Sequence, residues 1–248
     1  MLAIQSLRRG FAIAVIASAT IAIPRIQATV PGLTPPQNGG SKSANPPFGR
    51  TYDVLSQEWW LWSFMQAVPD NPTFPSSPPP VASTPPCSNG QMGDVWFLYG
   101  VFLPYTDVTC TVPSGKALFL PIVNTECSSL ESFPFHGDTA QDRQACAKAW
   151  IDNVTDLAAS VDGVAVHNLS PLRTRSGDFS FTVPNNNILV GSGPAWGFSS
   201  ADGYYMLLGP LAAGVHKIHL QATLHDPFDP SHPVVATINA TLTITVTP

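Results

Sequence analysis

Two stretches near the end of the chain alternate apolar and polar residues, and this period of two constrains the fold more than any other feature. In the first, His216, Ile218, Leu220, Ala222 and Leu224 fall on one side, with Lys217, His219, Gln221 and Thr223 on the other. In the second, Val234, Ala236, Ile238, Ala240, Leu242, Ile244 and Val246 alternate with Thr237, Asn239, Thr241, Thr243 and Thr245. Successive side chains of a strand point to opposite faces, so both stretches predict strands with one buried and one wet face.

Other segments extend the β pattern. Asp94 to Leu103, with Val95-Trp96-Phe97-Leu98-Tyr99 inside it, is apolar on both faces, as a central strand would be. Ala117 to Val123 is a second continuous apolar run, with Pro121 placing its end near an edge or a bulge. Asp162-Gly163 between Leu157–Val161 and Val164–Leu169 is a type I′ hairpin signal. Phe179, Phe181 and Val183 alternate with polar neighbours, and a further strand is expected to start near Tyr204.

Two helices interrupt this order. Leu55, Trp59, Trp62 and Met65 share a helical face, widened by Trp60 and Phe64; Asp53 or Ser56 could cap the helix, and Pro69 should end it. The second fits Ala140 to Asn153, with Thr139 as N-cap and Asp142 three residues on. The expected fold class is mostly β: an antiparallel β-sandwich, immunoglobulin-like or jelly-roll-like, with two short decorating helices.

Domain organisation follows from composition. Residues 1–28 read as a signal peptide: Arg8 and Arg9 are followed by an apolar run from Phe11 to Ile23, broken by Pro24, with a cleavage point near Ala28. A membrane span needs about 20 apolar residues, so no stable span is expected once this segment is removed. Residues 29–50 form a flexible Pro- and Gly-rich arm, and 51–248 a single β-sandwich domain holding a Pro- and Ser-rich loop over 69–86. Charged residues are 11% of the chain, below the roughly 25% of typical domains. With a net charge of −5 there is no basic footprint for nucleic acid.

Cys87, Cys110, Cys127 and Cys146 all lie in the mature part, and an even count in an exported chain suggests disulfides rather than free thiols. Four cysteines allow three pairings. Cys87 with Cys110 and Cys127 with Cys146 are favoured because each closes a modest loop around a distinct element. Secreted or periplasmic localisation is the matching expectation.

No catalytic signature emerges. Ser192 between two glycines is not a nucleophile elbow. No carboxylate pair can be nominated among three glutamates, Glu58, Glu126 and Glu131, and thirteen aspartates. His216 follows Leu211-Ala212-Ala213-Gly214 and is expected to bond back to that loop. His225, Asp226 and His232, with Asp229, form a loop cluster that could hold a divalent ion; otherwise no cofactor is expected. Trp59, Trp60 and Trp62, and Trp196 with Phe198 nearby, are types that stack on sugar rings or apolar ligands, and Asp202 is a polar candidate beside them. Three tryptophans so close on one helix predict at least one exposed ring. Asn153, Asn168 and Asn239 head glycosylation-acceptor triplets.

Three blocks carry a family resemblance: Gly93-Asp94-Val95-Trp96-Phe97-Leu98 with Gly100; Cys110-Thr111-Val112-Pro113-Ser114-Gly115-Lys116 with Phe119-Leu120-Pro121-Ile122-Val123-Asn124; and Asp202-Gly203-Tyr204-Tyr205 with Pro210, Leu211, Gly214 and His216. Over about residues 56 to 225 the chain resembles a functionally uncharacterised family of exported bacterial β-sandwich-like proteins. The resemblance implies an export address and a β fold, and transfers no catalytic residue. The expected function is a ligand-binding or surface-interaction module with a glycan or cell-surface partner. The alternatives are a secreted, metal-assisted hydrolase and a structural envelope protein.

Overall fold

The computed structural model describes residues 30–34, 47–67, 87–99, 107–191 and 193–248. The expected signal peptide, most of the arm and the 69–86 loop lie outside them. Elements run in the order α1 (Tyr52–Phe64), β1 (Val95–Phe97), β2 (Asp107–Pro113), β3 (Ala117–Ser128), α2 (Ala140–Asp152), β4 (Val154–Val161) and β5 (Val164–Ala165). Then come β6 (Arg173–Arg175), β7 (Phe179–Val183), β8 (Ala195–Leu208), β9 (Gly214–His225) and β10 (Val234–Thr247).

The mostly-β expectation holds, with the strands in two five-stranded sheets. One sheet orders β1-β3-β8-β6, with β7 also pairing β8; the other orders β2-β10-β9-β4-β5. Most pairings are antiparallel, but β1 runs parallel to β3 and β2 parallel to β10, so both sheets are mixed. Each parallel pair joins strands that are not linked by a tight turn, which alternation alone cannot reveal.

The alternating strands sit as their pattern requires. On β9, Ile218, Leu220 and Ala222 are buried while Lys217 is exposed and His219 half-buried. On β10, Ala240, Leu242, Ile244 and Val246 are buried between half-buried threonines. Asp162 and Gly163 take φ values of 52° and 78°, the left-handed pair a type I′ turn demands. The α2 N-terminus is a reciprocal capping box: the Asp142 amide donates to Thr139 Oγ1 at 3.2 Å and the Thr139 amide donates to Asp142 Oδ2 at 3.0 Å.

Four expectations are corrected. α1 starts after Thr51 with no side-chain cap, rather than at Asp53 or Ser56, and its last residue is Phe64, short of Pro69. The strand predicted from Asp94 is confined to Val95–Phe97 among the described residues. β3 continues past Val123 to Ser128, with the register shift that accommodates Pro121 falling between Pro121 and Val123. β8 begins at Ala195 rather than near Tyr204, because Gly197, Ser199, Ser200, Asp202 and Gly203 conceal its period behind small and polar residues.

β3 and β8 form the centre of the molecule, and both of their faces are covered. On one face α1 packs down: Tyr52 meets Phe119 edge-on at 5.7 Å, Phe119 stacks on Tyr205 at 5.2 Å, and Phe64 packs on Phe181 at 4.5 Å. On the other, Val123 packs with Ile151 of α2 and Ala222 of β9. The disulfides bind these layers. Cys87–Cys110 ties the segment after α1 to β2, and Cys127–Cys146 ties β3 to α2, the two pairings favoured on loop size.

Candidate functional site

Beyond Pro121, β3 alternates between its two faces. Asn124, Glu126 and Ser128 share the α1 face, and register sets Gly203, Ala201 and Ser199 of β8 opposite them. Gly203 is required here: a Cβ would stand 2.6 Å from Asn124 Cβ. Asn124 therefore lies close over β8 and donates to the Tyr205 hydroxyl at 3.3 Å. Glu126 is buried, and the Ser199 hydroxyl donates to its Oε2 at 2.5 Å.

The turn after β3 folds a second glutamate back toward the first. The Ser128 hydroxyl donates to Glu131 Oε2 at 3.0 Å, the Ser129 amide donates to the Phe198 carbonyl at 2.9 Å, and His136 Nδ1 bonds the Glu131 carbonyl at 2.8 Å. Glu126 and Glu131 thereby line the same cavity, where each carboxyl acts on the other. Burial pushes the Glu126 carboxyl well above its ordinary 4.5; the neighbouring Glu131 charge adds to this, and Ser199 offsets part of it. Burial also raises Glu131, against hydrogen bonds from Glu126 and Ser128. Two neighbouring carboxyls disfavour each other's charge, so the pair gives up its protons less readily than isolated glutamates. Among the described residues neither glutamate forms an ion pair with lysine or arginine.

The pair borders a cavity of about 170 Å³. Trp60 and Phe64 of α1 wall one side, Phe135 another, and Ile188 and Leu189 a third. Phe135 is held by stacking on Trp150 at 4.8 Å. Ile188 and Leu189 are held by Asn187, whose amide donates to the Pro184 and Gly193 carbonyls at 2.9 and 3.0 Å and whose Oδ1 accepts from the Leu189 and Val190 amides. A largely apolar, half-open cavity with a few convergent polar groups has the general form of a small-molecule site.

The residues singled out from sequence are distributed differently. Trp59, Trp60 and Trp62 are 0%, 4% and 6% exposed, so the expected exposed ring is absent. α1 is covered on more of its circumference than a single stripe, and the rings also pack on each other, Trp59 against Trp60 at 4.9 Å and against Trp62 at 6.0 Å. Trp59 Nε1 donates to the Leu98 carbonyl at 2.7 Å and Trp62 Nε1 to the Asn89 carbonyl at 2.9 Å, which fixes both as core. Trp60 alone of the three reaches the cavity.

Trp196 is 59% exposed and packs edge-on against Phe198 at 4.7 Å, while Arg143 lies over the Phe198 ring at 5.4 Å; neither ring lines the cavity. Asp202 is fully buried and gripped by the Arg173 fork, with Nε at 3.0 Å and the second nitrogen at 2.7 Å, so it has no free face for a ligand.

The loop cluster does not assemble as a metal site. His225 bonds Thr155 Oγ1 and the His232 carbonyl, His232 bonds the Asp226 carbonyl, and Asp226 accepts from the Phe228 amide. Among the described residues no three His, Cys, Asp or Glu side chains are grouped to hold a metal. His216 does bond back to its loop, through the Ala212 carbonyl at 2.9 Å, and also reaches Asp162 at 2.8 Å.

Glu126 and Glu131 were missed from sequence as a pair. The available signal was a glutamate continuing a doubly buried strand, next to Cys127 and five residues from the chain's next glutamate.

No family model matches the chain, and no curated protein matches it. Among solved structures, the solution structure of Amebosin aligns with 60% of this chain and 96% of its own at 12% identity and a TM-score of 0.18, a likeness too slight to support any statement about fold or function.

Proposed function

We propose that the protein is an exported ligand-binding module whose ligand site is the cavity beneath α1. One observation carries the reading: a half-open, largely apolar cavity of about 170 Å³ bordered by the buried Glu126 and the half-buried Glu131, neither ion-paired with lysine or arginine among the described residues. Burying an ionisable group without a charged partner is unfavourable, and a site that binds a polar ligand can repay that strain on occupancy. Two disulfides support an oxidising, extracytoplasmic address. No helix among the described residues is long and apolar enough to cross a membrane. Of the tryptophans first considered for sugar stacking, Trp196 remains the one with an open ring, and it would serve a surface contact separate from the cavity.

A second reading, an exported acid–base hydrolase, draws support from the same pair of carboxyls lining the cavity rather than from the His225–His232 loop.

The test is a thermal-shift screen of small polar ligands, glycans and metal salts against the protein, repeated on Ile188→Trp. A ligand bound to the folded state raises the unfolding temperature by mass action. Hits that vanish when the tryptophan fills the cavity support the reading. An empty screen, or hits indifferent to Ile188→Trp, overturns it.

A further inference from the structure

Resting on the ligand-binding reading above, we propose that the cavity takes a small organic cation, a primary ammonium on a compact apolar body, with its head between the Glu126 and Glu131 carboxyls. Charge supplies the first argument. The elements packed around the pair contribute mostly neutral groups, Trp60 and Phe64 from α1, Ser199 and Tyr205 from β8, Ile188 and Leu189 from the loop after β7, while His136 on the turn after β3 is the one charged group that acts on Glu131 among the described residues. The charged neighbours are already engaged. Arg143 forks Asp178 at 2.8 Å through both nitrogens, and His136, exposed, bonds Asp138 at 2.9 Å. Glu58 of α1 is paired with Arg50. Among the described residues no lysine or arginine pairs with the two carboxyls, so a cationic ligand would supply charge that these residues do not.

Hydrogen-bond chemistry gives the second argument. With no cation present, burial holds both carboxyls above their ordinary value, which favours keeping a proton on the pair. An ammonium carries three donors and no acceptor, so it can replace that proton and bond both carboxylates at once. Binding would then expel that proton to solvent, in an exchange of one positive charge for another.

Walls and size give the third. Trp60, Phe64 and Phe135 put aromatic rings into the lining, and such rings attract a cation and an apolar body alike. A cavity of about 150 Å³ is enough for benzene, so 170 Å³ has room for one ring or a short chain plus the head group. A bare divalent ion suits the place badly: calcium needs about six or more oxygen ligands, and the aromatic and aliphatic walls supply none.

The experiment titrates benzylammonium and its near-isostere benzyl alcohol into the protein by calorimetry, in two buffers of different ionisation enthalpy. Benzylammonium is expected to bind at least about tenfold more tightly than the alcohol, the scale of a charge-assisted hydrogen bond, with proton release seen as a buffer-dependent heat. Glu126→Gln and Glu131→Gln should each remove about tenfold or more of the ammonium affinity and leave the alcohol almost unchanged. Equal binding of alcohol and ammonium overturns the cation while leaving the cavity as a site for neutral ligands. Binding of neither probe also overturns the cation, and the cavity reading then falls only if the broader screen is empty as well.

Discussion

The sheet centred on β3 and β8 carries carboxyl groups on both faces, with Asp202 buried on one and Glu126 on the other, and the two faces treat them in opposite ways. On the α2 face, Asp202 is forked by Arg173, which also bonds Asp152 at 2.8 Å, and Asp178 is forked by Arg143 and accepts from the Ser200 hydroxyl at 2.8 Å. Each of these carboxylates meets a guanidinium in bidentate geometry. On the α1 face, Glu126 and Glu131 meet serine hydroxyls beside an open volume that both of them line. Buried charge that is matched holds a structure together. Buried charge left unmatched next to a cavity is the more informative kind, because the fold tolerates it without a structural return.

The largest effect expected is on the matched face. Arg173→Leu strands the Asp202 carboxylate with no exposure to water, and breaking a buried pair from one side costs about 3–5 kcal/mol. Urea unfolding of the variant measures this. A loss below about 1 kcal/mol would mean that the fork is no stronger than a surface ion pair, and the contrast between the faces would dissolve.

Next in size is the covalent tie on the same face. Cys127–Cys146 closes a span of 19 residues between β3 and α2, and in the chain-entropy account a loop near this length contributes about 3 kcal/mol. The double alanine variant should lose about that much, with α2 the first element to open in hydrogen exchange. If α2 stays as protected as in the parent, the helix is held by the Arg143 and Arg173 pairs instead.

The unmatched face gives a smaller effect with a distinctive pH dependence. The folded carboxyls of Glu126 and Glu131 sit above 4.5, so over the interval above that value the folded chain holds more protons than the unfolded one. Their contribution to stability is fully present below about 4.5 and is lost as pH rises toward the elevated folded values. Asp178 behaves inversely: Arg143 and Ser200 hold it below 3.8, so its contribution is present above 3.8 and lost as pH falls through the depressed folded value. Glu126→Gln removes one of the competing charges and should flatten the loss on the alkaline side. Without ligand the gain near pH 8 is about 1 kcal/mol, the equivalent of one pKa unit. Denaturant midpoints taken across pH would show it. An unchanged slope means that the two carboxyls do not act on each other.

What the sequence disclosed follows from how local its causes are. The β9 and β10 alternation, the Asp162-Gly163 turn and the Thr139–Asp142 capping box each depend on a few adjacent residues, and each was legible. β8 was legible only from Tyr204 onward, because Ser199, Ser200 and Asp202 are buried by partners elsewhere in the chain: Glu126, Asp178 and Arg173. The site was hidden for the same reason. Glu126 and Glu131 meet through a turn whose path depends on Ser129 pairing with Phe198, and the walls come from α1 and the Asn187 loop, both distant in sequence. Helical spacing around Trp59, Trp60 and Trp62 could show an apolar surface but not that core and cavity together would cover it.

The smallest effect tests which face carries the function. Trp196 is the candidate aromatic left open to solvent, so a binding protein that worked through a flat aromatic platform would depend on it. Its packing partner is Phe198, whose ring meets Arg143 of α2, and the cavity has no share in that contact. Trp196→Ala should therefore cost only the edge-on ring contact, about 0.5 kcal/mol, and leave binding in the cavity unaltered. Calorimetry of the variant with whichever ligand the thermal-shift screen returns checks both parts. If binding collapses while stability holds, ligand recognition belongs to the face bearing the arginine pairs, and the unmatched glutamates would need a different explanation.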